Sequence, residues 1–106
     1  MGDLEQTGDG EGFDPVANAA AMDRAGMQLA KGLLRAEMAK RRLTYGTLAN
    51  MMTDYGIEEN ERNLRNKVSR GSFTAAWFFA LMIMMEVKTL DLSHHYTSMS
   101  EHLGLD

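Results

Sequence analysis

Apolar residues recur at helical intervals through the middle of the chain and thin out towards both ends. Between Met27 and Arg41, the residues Leu29, Leu33, Leu34 and Met38 form one apolar stripe, while Lys31, Arg35, Lys40, Arg41 and Arg42 fall largely on other faces. Thr44 is placed to cap a second helix, with Leu48, Met51 and Met52 on its apolar side, Tyr55 near its end and Gly56 as its stop. Asn60, or Glu59, opens a third helix, in which Leu64 and Val68 point inward and Gly71 closes the run. Ser72 or Thr74 caps a fourth helix from Ala75 to about Glu86. Its sequence, AAWFFALMIMME, is apolar on nearly every side, which predicts either the central helix of the core or one partly covered by another subunit. The alternation in VKTLDL, Val87 to Leu92, predicts a short extended segment.

The front of the chain follows different rules. Residues 1–13 are rich in glycine and acids, bury too little to offset ordering, and are expected to form a disordered acidic tail. Asp14-Pro15 then starts a helix: Asp14 can cap, and proline suits a first helical position whose N–H has no partner. The stretch from Ala17 to Met22 is either a separate short helix or an extension of the next, with Gly26 as the expected break. The chain therefore reads as an all-α bundle of four to five short helices over residues 14–92, followed by a flexible segment at 93–106.

Charge sharpens this picture. The net charge of -4 hides a segregation: residues 24–71 hold ten Lys or Arg against five acids, and the flanking stretches are acidic. A basic middle can attract phosphates although the whole chain is acidic. There is no cysteine, so disulfides, thiol nucleophiles and cysteine zinc sites are excluded. The acidic start lacks the pattern of a signal peptide, and the longest apolar run, Thr74 to Met85, is too short to span a bilayer. A cytoplasmic protein without membrane contact is expected. His94, His95 and His102 lack the cysteine or carboxylate partners of a metal-ligand pattern and read instead as part of a flexible tail. No phosphate loop, nucleophile elbow or HExxH motif occurs, so no catalytic residues, cofactor or small-molecule ligand are expected, and the chain does not read as an enzyme.

The segment LTYGTLANMM, Leu43 to Met52, resembles the start of a Cro/repressor-type helix-turn-helix, with Leu48-Ala49 as its Leu-Ala pair. NLRNKVSRGSF, Asn63 to Phe73, resembles the third helix of that family and its terminating glycine. TYGTLA, ENERNLRNKVSRG and VKTL are together similar to a family of small bacterial proteins known as a domain of unknown function, itself regarded as helix-turn-helix-like; this resemblance covers a little over half the chain. The connection MTDYGIEEN, Met52 to Asn60, is longer than the tight turn of Cro-like domains, which leaves the angle between the second and third helices open. The resemblance implies sequence-specific binding of duplex DNA by the third helix, transcriptional regulation, and a homodimer, for which helix 75–86 is the most apolar interface.

The residues agree with that implication. With Leu64 and Val68 inward, helical periodicity sends Arg62, Asn66 and Arg70 to the opposite side, Asn63 and Ser69 outward, and Arg65 and Lys67 to the flanks. Arg and Asn offer the paired donors and acceptors that base edges require, which makes Arg62, Asn63 and Asn66 candidate base readers. Arg41, Arg42, Arg65, Lys67 and Arg70 are candidate phosphate contacts. The bland alternative is a solvated cationic face. Glu58, Glu59 and Glu61 oppose phosphate at the helix start and are explained by complementing its dipole. The Trp77-Phe78-Phe79 cluster reads as core, or else, beside Met82, Met84 and Met85, as an adaptable partner surface. A protein–protein adaptor that keeps the scaffold without touching DNA is the competing reading. The acidic tail reads as solubilising, or as a cover that folds over the basic face.

Overall fold

The computed structural model describes residues 14–92, so the expected acidic tail at 1–13 and flexible segment at 93–106, with its three histidines, lie outside the described residues. Within them the chain is all-α. Four helices follow one another: α1 Pro15–Lys40, α2 Tyr45–Asp54, α3 Glu61–Arg70 and α4 Ala75–Met84. Among the described residues there is no strand, and residues 87–92, read as a short extended segment, belong to no helix or sheet.

Each helix starts where a side chain can satisfy free backbone N–H groups. Asp14 accepts from the Val16 N–H, with Pro15 at the first helical position. Thr44, Asn60 and Thr74 do the same for Thr47, Asn63 and Trp77, at 3.1, 2.9 and 3.0 Å. Helix ends are more varied. α2 closes through Gly56, at φ 85°, with the Ile57 N–H on the Met52 carbonyl at 2.9 Å. α1 and α4 close with the same hydrogen bonds, Leu43 N–H to Met38 and Val87 N–H to Met82, but their left-handed residues are Arg42 (φ 56°) and Glu86 (φ 60°). Without glycine, the left-handed geometry of those two ends has no signal in the sequence, although the ends themselves fall within two residues of the expected Arg41 and Glu86.

Gly26 does not break α1. The helix runs through it for 26 residues, about 39 Å at 1.5 Å per residue, so there are four helices and no separate short one. A glycine inside a helix costs only about 1 kcal/mol relative to alanine, and the Ala-rich turns on one side and the buried Leu33 and Leu34 on the other outweigh it.

α2 packs on α3 and α1 packs on α4. Leu34, Leu48, Met52, Leu64, Val68 and Leu81 are fully enclosed, and Met38, Met82, Met84 and Met85 fill the space between them. The aromatic cluster divides. Phe78 is buried and Trp77 half-buried, with Phe73 stacked on the first and tilted against the second, whereas Phe79 is 53% exposed and so is no core residue.

The one buried charged residue among the described residues is Glu37, on the inner side of α1. Arg41 Nη1 donates to its carboxylate at 2.6 Å and Lys40 Nζ at 3.2 Å. Arg41 Nε also donates to the Met85 carbonyl at 2.7 Å, tying the end of α1 to the end of α4. Burial alone would raise the Glu37 carboxyl, but the hydrogen bonds and charges of Arg41 and Lys40 outweigh it and hold the group below its ordinary value of 4.5. A lowered folded value means stability that is present above pH 4.5 and lost as pH falls through the folded value. Wild type should therefore be more stable than Glu37→Gln at pH 7, and the gap should narrow on acidification. Urea midpoints of both proteins between pH 7 and pH 3 check this; parallel curves would show that the carboxylate contributes nothing to acid unfolding.

Candidate nucleic-acid interface

α3 is short and strongly two-sided. Leu64 and Val68 are both at 0% exposure, while Arg62, Asn63, Arg65, Asn66, Ser69 and Arg70 all face solvent. The predicted orientation of this helix is the one observed. Its start is fixed by the Asn60 cap and its end by left-handed Gly71. Arg62 and Arg70 have no ion pair or side-chain hydrogen bond among the described residues, so their guanidinium groups are free to meet an outside acceptor.

The flanking cations are placed differently from one another. Lys67 is half-buried with its ammonium 5.0 Å from the centre of the Trp77 ring. Arg65 pairs with Glu61 at 2.6 Å and lies 5.4 Å from the centre of the Tyr45 ring. Arg42 is exposed at the corner after α1. Arg41 is half-buried and spent on Glu37 and the Met85 carbonyl, which gives it a structural role between α1 and α4 rather than a place among the solvent-facing cations.

The structure also brings in residues not foreseen as part of this surface. Lys31 Nζ donates to the Ser69 carbonyl at 3.1 Å, a cation at the C-terminal end of α3 where the helix dipole favours it. Arg35 Nε donates to the Tyr45 hydroxyl at 3.1 Å, and Arg35 Nη2 reaches the Ser69 hydroxyl at 3.5 Å. Lys31 and Arg35 sit one turn apart on α1, facing Arg65 and Ser69 one turn apart on α3. Their spacing on α1 was visible in the sequence, but the partner helix that turns them into one surface lies more than thirty residues away. No group of His, Asp or Glu among the described residues is arranged to hold a metal ion.

Taken together, these features define a small all-α domain with one cationic, amide-bearing helix face supported by basic residues from α1. Residues 27–90 match the family model of a domain of unknown function, DUF6471, which names no helix-turn-helix family. The match spans more than half of the 106 residues, and the chain belongs to this family. It begins inside α1, leaving the first three turns of that helix outside it. No curated protein and no solved structure matches the chain. No helix among the described residues is long and apolar enough to cross a membrane.

Proposed function

We propose that this protein binds duplex DNA as a transcriptional regulator, reading base edges with the exposed face of α3, and that it is not an enzyme. The observation that carries this reading is the orientation of α3: its aliphatic seam is fully enclosed while Arg62, Asn63 and Asn66 stand in solvent. Arg can bridge guanine O6 and N7, and Asn can bridge adenine N6 and N7. Arg42, Arg65, Lys67 and Arg70 surround that face as phosphate contacts, which makes binding strongly dependent on salt. Arg41 is left out of the set because its guanidinium serves Glu37 and Met85. Two copies joined through α4 would present two such helices to paired half-sites.

Selection from random duplex DNA with the purified chain tests the reading. An enriched motif is expected, and a palindromic one for a dimer. Replacing Arg62 or Asn66 by Ala should relax preference at one position by about 1–3 kcal/mol if the contact is bidentate. Wild-type site selection by both variants would remove α3 as the reader.

A second reading has one observation in its favour. α4 exposes Phe79 (53%) and Ile83 (75%), beside a groove of about 300 Å³ that continues to Val87 and Leu90. An adaptor would use that surface on a partner protein, and its function would be disabled by Ile83→Asp but not by Arg62→Ala.

A further inference from the structure

We propose that Arg35, Tyr45 and Arg65 form a seat for one phosphate group of a DNA strand, at the flank of α3 and one step from its reading face. This rests on the DNA-binding reading above and adds to it a specific anchoring site built largely outside α3.

Two guanidinium groups from different helices converge on one tyrosine. Arg35 of α1 bonds the Tyr45 hydroxyl at 3.1 Å, and Arg65 of α3 lies 5.4 Å from the centre of the same ring. Lys31 stands one turn further along α1. Bringing like charges together is unfavourable unless something offsets it. Among the described residues no carboxylate pairs with Lys31 or Arg35, and the one acid on the cluster is Glu61, through Arg65. That pair is half-exposed at both ends, the kind of ion pair that contributes little and is readily exchanged. Glu61 thus stands where an outside anion would go.

The space beside these cations has the right character. An open depression of about 270 Å³ lies between α1, the start of α2 and α3, rimmed by Arg35, Thr44, Tyr45 and Arg65, with Leu43 at its base and buried Met38 beneath. A cationic rim beside part-exposed Leu43 suits a phosphate with its sugar attached: the oxygens meet the guanidinium groups and the deoxyribose carbons meet the leucine. The fork of each arginine has N–H groups not used by Tyr45, Ser69 or Glu61, and planar paired donors match phosphate oxygens. Arg65 is followed by Asn66, so a strand held here by its phosphate would be fixed in register against the reading residues. Like the other phosphate contacts it adds affinity and holds the strand in place without itself carrying sequence information.

The test uses the full chain and two probes. In ¹⁵N NMR, inorganic phosphate titrated at constant ionic strength should move the amides of Thr44 to Thr47 and the Arg35 Nε–H, with α4 amides unmoved as an internal control. Arg35→Gln, an exposed change that leaves the core alone, should abolish those shifts. With duplex DNA, Arg35→Gln should lower affinity several-fold and reduce the slope of log affinity against log salt by about 1, leaving the selected sequence unchanged. Glu61→Gln should do the reverse and tighten binding, because the resident competitor loses its charge. Duplex binding that is indifferent to Arg35→Gln, with no phosphate shifts, would overturn the seat and leave the reading by α3 intact. Phosphate shifts in a protein that binds no duplex would overturn both as statements about DNA.

Discussion

Leu64→Ala should lower the stability of the domain by about 2–5 kcal/mol, the range for truncating a buried leucine. Leu64 has no exposed surface and is one of only two aliphatic anchors on α3. The loss has two parts, the transfer of three carbons' worth of side chain and the cavity they leave. The second part depends on the neighbours. Five methionines, Met38, Met52, Met82, Met84 and Met85, are buried in this core, and their unbranched side chains can shift into a gap. The expected value therefore lies in the lower half of that range. Even so, a small domain with about 5–15 kcal/mol in total would feel it. Arg62→Ala, two positions away but in solvent, should change stability by less than about 0.5 kcal/mol. Denaturant titration of both variants checks the pair; equal effects would mean that α3 is not anchored through this seam.

The second large effect concerns three glycines, which should respond to alanine in three different ways. Gly71 is buried at φ 68°, and a Cβ built there would lie 3.2 Å from the Met27 carbonyl oxygen. A left-handed residue with a side chain costs about 1–2 kcal/mol, and the contact adds to that because α1 backbone cannot yield as a flexible side chain would. Gly56, at φ 85° with open space around it, should lose the conformational part alone. Gly26 lies in mid-helix with nothing within 4 Å, so alanine there should stabilise by about 0.5–1 kcal/mol. Thermal unfolding of the three variants should rank Gly26→Ala above wild type, then Gly56→Ala, then Gly71→Ala. Should Gly71→Ala melt with or above Gly56→Ala, α1 does not press on the end of α3 as described.

What could be read without coordinates was whatever is decided locally. Thr44, Asn60 and Thr74 start helices because each needs only its own next three residues. The facing of α3 was legible because its two apolar residues are four apart among charges. α4 offered no such contrast: with nearly every residue apolar, its sequence could not say that Phe78, Leu81 and Met82 go inside while Phe79 and Ile83 stay out. The helices packed around it make that choice. The same limit hid how α1 and α4 close, where Arg42 and Glu86 adopt the geometry usually given to glycine. It also misplaced Arg41, whose neighbours in sequence look like a surface run of cations but whose partners are a buried acid and a carbonyl 44 residues away. For the proposed interface, the α3 residues were visible and the α1 and Tyr45 contributions were not, since those exist only once the helices are folded against each other.

The long first helix is mechanically two objects. From Ala25 onward it is held by burial; between Pro15 and Arg24 only Ala21 is even half-covered, and Val16 and Met22 stand in water. These first turns rest on alanine propensity and the Asp14 cap rather than on burial, so they are the part of the helix that opens most easily. Amide exchange should therefore be fastest in these turns and slow sharply from Ala25 on, within one unbroken helix.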